Sequence, residues 1–147
     1  MPPVKCLIVL PGPDYTQMSN IDRYVTERQY TEVYTLQTVV GKLSANTMKI
    51  VVIGHGGSGM IVGSTLGGLA AAITLSGAMD ESRVVLKLGI DTCYAGHGGD
   101  QSVLNRLKAM LPNSRPVQLS GGEGPTITGV HGGHRYYLTP DSQQIKV

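Results

Sequence analysis

The chain of 147 residues contains no tryptophan and no phenylalanine, and only 15% of its residues are charged. Its core must therefore be built from aliphatic side chains, methionine and tyrosine. The charged share is well below the usual fraction of about a quarter. With a hydrophobic share of 41%, this composition argues against intrinsic disorder, which needs the opposite balance. We expect a single compact domain over residues 1–147.

Other absences exclude whole classes of partner. The net charge is +2, and lysines and arginines are scattered singly, so the basic stripe of a nucleic-acid-binding protein is missing. No apolar run approaches the roughly 18 residues of a membrane span, and the first run is too short for a signal peptide. We therefore expect no nucleic-acid or membrane partner. The expected location is the cytoplasm, or a compartment reached without a visible signal peptide.

The two cysteines, Cys6 and Cys93, are too few for a disulfide framework, which favours a reducing compartment. Cys6 lies in the middle of an apolar run, as a buried structural thiol does. Cys93 lies among polar and small residues, in the sequence Asp-Thr-Cys-Tyr-Ala-Gly at positions 91–96. Such surroundings are typical of an accessible and reactive thiol.

Apolar runs alternate with helical patterns along the chain, and the central runs are apolar throughout. This is typical of an α/β fold with a mostly parallel central sheet flanked by helices on both faces. The predicted strands cover residues 6–10, 32–40, 48–53, 83–90 and 116–119, with short strands and turns from Thr126 on. The predicted helices are residues 14–31 with an apolar face of Met18, Ile21 and Val25, a helix capped by Thr65 and closed by Gly77, and a helix capped by Asp100 and stopped by Pro112.

The 20 glycines are unevenly distributed, and sixteen of them lie in the windows 54–68, 96–99, 121–124 and 129–133. The first window surrounds His55, and the second follows Cys93. Both residues come at the end of a predicted strand. Glycine permits close approach of another backbone or a substrate, and α/β folds place their sites beyond the carboxyl ends of the strands.

His55 and Cys93 together form a candidate catalytic pair. An imidazole titrates near neutral pH and can transfer a proton to a leaving group. A thiolate is a strong nucleophile towards carbonyl carbon. Gly56 directly after the histidine leaves its backbone N–H open to a developing oxyanion.

The order of strand, His55-Gly56, helix, strand and Cys93 resembles the caspase-like (clan CD) cysteine peptidases. Residues 54–59 resemble the histidine loop of metacaspases, and Asp91-x-Cys93-x-x-Gly96 resembles the cysteine loop of metacaspase and clostripain-type members. The chain departs from the family at Thr92, where alanine or serine is frequent, and it lacks the caspase pentapeptide Gln-Ala-Cys-x-Gly. The resemblance covers roughly residues 4–120 and implies a caspase/hemoglobinase-like three-layer sandwich.

The resemblance also implies an activity and a role for each matching residue. The chain would be a cysteine endopeptidase, with Cys93 as the nucleophile and His55 as the proton donor to the leaving amine. The oxyanion would lie between the backbone N–H groups of Gly56 and Cys93. Asp91, two residues before the nucleophile, would line the S1 pocket and favour cleavage after arginine or lysine. The expected partner is a protein or peptide substrate, with no cofactor and no metal.

Two other functions compete with the peptidase. A caspase-like domain without turnover would be a binding module. Alternatively, Gly54-x-Gly56-x-x-Gly59 after a strand satisfies the spacing of a dinucleotide-binding turn. The spacing of Cys93, His97, His131 and His134 would permit a metal site, but one thiolate is fewer than structural zinc prefers. We also expect solvated side chains for six basic residues of the second half: Arg83, Lys87, Arg106, Lys108, Arg115 and Arg135.

Overall fold

The fold is built around a six-stranded mixed sheet, which confirms the α/β class. The computed structural model describes residues 4–12, 15–124, 126–131, 134–138 and 143–147. The strands are β1 (Val4–Val9), β2 (Glu32–Tyr34), β3 (Thr47–Ile53), β4 (Gly56–Gly57), β5 (Met60–Ile61), β6 (Leu86–Asp91), β7 (Val117–Gly122), β8 (Thr126–His131), β9 (His134–Leu138) and β10 (Gln144–Lys146). The helices are α1 (Tyr15–Arg28), α2 (Leu66–Ser76) and α3 (Val103–Met110).

The strand order across the sheet is β10-β7-β6-β3-β1-β2. The pairs from β7 to β2 are parallel, and β10 adds to β7 in the antiparallel direction. β4 pairs with β5 and β8 pairs with β9 in two separate hairpins. The prediction of a mostly parallel sheet is therefore confirmed, and the chain's last described strand makes the sheet mixed.

Side chains alternate between the two faces of the sheet and enter two separate clusters. Cys6 and Ile8 of β1 cluster with residues of α2 and α3, whereas Leu7 clusters with Ile21 and Tyr24 of α1. The connection through α1 and the connection through α2 cross the sheet in opposite directions. Because such crossovers are right-handed, α1 packs on the face opposite to α2 and α3.

The α2 helix forms as its sequence predicts. The Thr65 hydroxyl accepts a hydrogen bond from the Gly68 N–H at 2.9 Å, which satisfies one of the free donors of the first turn. Gly77 ends the helix with a φ of +100°, a left-handed conformation that favours glycine. The predicted apolar face is buried as expected: Leu66, Leu69, Ala70 and Ile73.

The predicted strand over residues 32–40 is only partly correct, because β2 ends at Tyr34. Thr35 and Thr38 then exchange side-chain and backbone hydrogen bonds, with Thr35 N–H donating to Thr38 Oγ1 at 2.8 Å and Thr38 N–H donating to Thr35 Oγ1 at 3.2 Å. These local bonds compete with the sheet ladder and turn the chain. Val39 is buried by this turn rather than by a strand.

The two other helices correct the sequence-based expectations in detail. Ser102, not Asp100, caps α3, and its hydroxyl accepts a hydrogen bond from Asn105 N–H at 3.1 Å. Asp100 lies in a short 3-10 helix before the cap. On α1, Met18 and Val25 are exposed, while Tyr24 is fully buried. None of the described helices has the length and apolar character needed to cross a bilayer.

Arg115 contradicts the expectation of a solvated side chain, since it is only 2% exposed. Its Nε donates to the Val84 carbonyl at 2.8 Å and its Nη1 donates to the Ala78 carbonyl at 2.9 Å. Burial lowers the pKa of this guanidinium. The side chain ties the segment between α2 and β6 to the segment that enters β7.

We predict that Arg115→Met lowers the free energy of unfolding by about 2–4 kcal/mol, because it leaves two carbonyl groups without their donor. Urea denaturation measures this change. Arg83→Met at an exposed position is the matched control, with an expected change within about 0.5 kcal/mol. Equal effects of the two substitutions would contradict a structural role for Arg115.

Candidate active site

His55 and Cys93 lie at the ends of two adjacent parallel strands. In the register of β3 against β6, Ile53 is opposite Asp91. Gly54 N–H donates to the Asp91 carbonyl at 3.3 Å, which extends the pairing by one residue. His55 and Cys93 each follow the paired residues by two positions, on strands spaced about 4.8 Å apart. The two predicted catalytic residues therefore follow neighbouring strands at the same end of the sheet. His55 is exposed and Cys93 is partly buried.

The loops that contain these residues touch each other at Gly56 and Thr92. A Cβ atom on Gly56 would lie 2.8 Å from Thr92 Cβ and 3.1 Å from the carbonyl oxygen of Met60. Thr92 is 1% exposed, and its hydroxyl has no hydrogen-bond partner in the described part of the chain. The Thr92 side chain is therefore the surface on which the histidine loop packs.

The histidine loop is confined on its other side by the segment after β1. A Cβ on Gly54 would approach Leu10 Cδ1 to 2.6 Å, and a Cβ on Gly63 would approach Pro11 Cδ to 2.9 Å. Gly63 also has a φ of +89°. The glycines around His55 thus serve close packing between neighbouring segments as well as turn conformation.

The β4–β5 hairpin follows His55 directly and contains Gly56. Val62 N–H donates to the His55 carbonyl at 2.9 Å, which closes the base of the hairpin. At its tip, Arg106 Nη1 of α3 donates to the Gly59 carbonyl at 2.7 Å. Arg106 is exposed as predicted, yet it anchors the hairpin to α3.

The cysteine loop is held by the strand ends beside it. Tyr94 N–H donates to the Gly124 carbonyl at 3.0 Å, and Gly96 N–H donates to the Gly122 carbonyl at 2.9 Å. A Cβ on Gly96 would lie 2.7 Å from Ile145 Cβ of β10. The third glycine window therefore lies against the cysteine loop, whereas Gly132 and Gly133 of the fourth window lie outside the described residues.

Tyr94, directly after Cys93, has a left-handed backbone with a φ of +61°. Among the described residues other than glycine, Gln29 is the other one with a positive φ. This conformation costs a residue with a side chain roughly 1–2 kcal/mol. The chain turns at this residue, which is 37% exposed.

Asp91 is fully buried at the end of β6, on the face covered by α1. The hydroxyl group of Tyr24 donates to its Oδ2 at 3.3 Å. Tyr24 packs edge-on against Tyr30, with the ring centroids 5.3 Å apart. The predicted S1 residue therefore lies beneath the cysteine loop in contact with Tyr24, closed off from solvent, and in this structure it does not line an open pocket.

The two thiols differ as the sequence predicts. Cys6 is fully buried, and burial, assisted by the charge of Glu32, raises the pKa of its thiol to about 12. Cys93 is partly exposed in the loop after β6. Cys6 is therefore a structural thiol, and Cys93 is accessible to reagents.

The structure bears on the two other kinds of site. After β3 the glycine-rich segment forms a hairpin, and α2 begins only at Leu66, whereas a dinucleotide-binding turn opens directly into a helix. Within the described residues, no three histidine, cysteine, aspartate or glutamate side chains come together as metal ligands. The side chains of His131 and His134 lie outside this description.

Comparison of the chain with protein-family models, curated proteins and solved structures finds no match in any of the three.

Tyr24 and Arg106 belong to the surroundings of the site, and the sequence motifs do not point to them. Tyr24 follows Ile21 by three residues, so helical spacing alone would place both on one buried face. Nothing in the sequence pairs Arg106 with Gly59, since they are distant along the chain and meet only through the packing of α3.

We predict that iodoacetamide at pH 8 modifies the native protein at Cys93 alone, because the Cys6 thiol is buried and remains protonated. Mass spectrometry of the intact protein counts the adducts. Cys93→Ala should acquire none until it is unfolded, and Cys6→Ala should acquire one. Modification of Cys6 in the native protein would contradict the assignment.

Proposed function

We propose that this chain is a cysteine endopeptidase of the caspase-like type, with Cys93 and His55 as its catalytic dyad. The observation that supports it best is the register of β3 and β6, from which both residues emerge at one edge, beside the contact of Gly56 with Thr92. A nucleophile and a proton donor on neighbouring strand ends have the arrangement that acyl transfer needs.

The reaction has two steps, formation of a thioester with Cys93 and its hydrolysis. The Cys93 thiolate attacks the carbonyl carbon of a peptide bond, the C–N bond breaks, and His55 gives a proton to the leaving amine. Water then attacks the thioester and gives up a proton to His55. The C–S bond breaks, releasing a carboxylic acid and the thiolate.

The negative charge that develops on the carbonyl oxygen in both steps needs fixed donors. The backbone N–H groups of Gly56 and Cys93 are assigned this role. Gly56 is fixed between Thr92 and Met60. A donor held in this way before the substrate arrives costs no reorganisation during the reaction.

A substrate with arginine or lysine at P1 suits the charges around the cysteine loop. Asp91 lies beneath the loop. Glu123 lies in the adjoining segment next to Gly124, which binds Tyr94 N–H, and Asp100 follows in the 3-10 helix. A carboxyl group within reach of a basic side chain forms a charge-assisted hydrogen bond with it. Glu123 and Asp100 are exposed, whereas Asp91 is fully buried and contributes its charge from beneath the loop.

The finer fold that accompanies this function is the caspase/hemoglobinase-like three-layer sandwich. It is supported by the packing of α1 on one face of the sheet and of α2 and α3 on the other. The mostly parallel strand order with the dyad after two central strands is compatible with it.

The test is incubation of the protein with a peptide library varied at P1, followed by mass spectrometry of the products. We expect cleavage after arginine or lysine. Cys93→Ala should reduce the rate to background, and His55→Ala should reduce it at least a hundredfold, since both groups act in the bond-breaking step.

The matched control is Cys6→Ala, which removes the other thiol and should retain most of the activity. Cleavage after aspartate or leucine in preference to arginine would contradict the role of Asp91. Peptide binding without cleavage by the unmodified protein would favour the binding module.

A further inference from the structure

Tyr94 has a large exposed side chain at a position where the backbone favours glycine. Its φ of +61° is one that glycine adopts without steric cost. Strained backbone in residues with side chains concentrates at functional sites. The residue directly follows Cys93, the nucleophile of the proposed dyad.

The backbone and ring of Tyr94 are both held in place. Its N–H donates to the Gly124 carbonyl at 3.0 Å, and its carbonyl accepts a hydrogen bond from His97 N–H at 3.1 Å. The ring packs edge-on against the His97 ring with the centroids 6.0 Å apart. An aromatic side chain fixed on the surface offers contact area at little cost in conformational entropy.

An apolar side chain also lies on the opposite loop. Met60 is 53% exposed at the start of β5, and its Cγ lies 3.5 Å from where a Cβ on Gly57 would be. The Met60 carbonyl and Thr92 converge on Gly56. Met60 thus belongs to the histidine loop and Tyr94 to the cysteine loop, and these two loops touch at Gly56 and Thr92.

We propose that Tyr94, together with Met60 of the histidine loop, forms a subsite for a bulky apolar side chain of the substrate, adjacent to the residue at the scissile bond. This inference rests on the proposed peptidase function. Methionine sulfur and an aromatic ring both interact favourably with aliphatic and aromatic groups. The substrates are therefore peptides in which a basic residue is next to a large aliphatic or aromatic one.

The experiment measures peptide binding to the Cys93→Ala protein, so that it does not depend on turnover. The probes are octapeptides with a single arginine and with phenylalanine, leucine or alanine at each neighbouring position in turn. At one position, the phenylalanine or leucine peptide should bind at least about tenfold more tightly than the alanine peptide. Tyr94→Gly in the same background should abolish this difference without lowering the midpoint of thermal unfolding.

Three further variants isolate the ring from the backbone. Tyr94→Phe should keep the preference, because it retains the ring. Tyr94→Asn should lose it, because asparagine tolerates the left-handed backbone but has no ring. Gln29→Gly, at the other strained position with a φ of +60°, is the matched control and should leave binding unchanged.

The outcomes separate the subsite from the peptidase. A preference that survives Tyr94→Gly, an equal loss of affinity for all peptides, or no binding by any peptide would overturn the subsite. A preference that depends on Tyr94, without cleavage of any peptide by the unmodified protein, supports the subsite and contradicts the hydrolysis. Cleavage of the peptides without an apolar preference supports the hydrolysis and contradicts the subsite.

Discussion

The close contact between Gly56 and Thr92 is the constraint on which the arrangement of the site depends. It joins the loops that follow β3 and β6, and it allows no atom where a Cβ on residue 56 would be. The parallel register of the two strands brings His55 and Cys93 to the same edge, and this contact fixes how near their loops lie. Packed interiors respond to such overlaps by discrete shifts, so the geometry of the proposed dyad is sensitive to a single methyl group.

The rest of the fold supports that contact from several directions. Leu10 and Pro11 pack against the histidine loop, and Arg106 donates a hydrogen bond to the tip of its hairpin. The cysteine loop contacts β10 and is hydrogen-bonded to the end of β7. The sheet itself is packed with aliphatic side chains, which explains how the core forms without phenylalanine or tryptophan. Several glycines of these loops follow from the same geometry, because a Cβ would lie within 3.0 Å of a neighbouring segment: Gly54, Gly56, Gly63, Gly96 and Gly121.

The sequence predicts most of what depends on local pattern. The buried strands, the α2 helix with its Thr65 cap and the two strand ends with His55 and Cys93 are all present. What it cannot predict depends on partners far along the chain. In the sequence Arg115 does not differ from the other single basic residues, because its carbonyl acceptors are more than 30 residues away. Tyr24 reaches Asp91 only because α1 packs on the sheet.

The most direct test is a double-mutant cycle on kcat/KM with Gly56→Ala, Thr92→Gly and both changes together. Alone, Gly56→Ala should lower kcat/KM by about a hundredfold, since a displacement of about 1 Å is enough to misalign reacting groups. In the Thr92→Gly background it should cost at least about tenfold less, because the overlap with Cβ is removed. Gly67→Ala, which meets nothing closer than 4.0 Å, is the matched control. Independent, additive effects, or a Gly56→Ala protein with unchanged activity, would contradict the account.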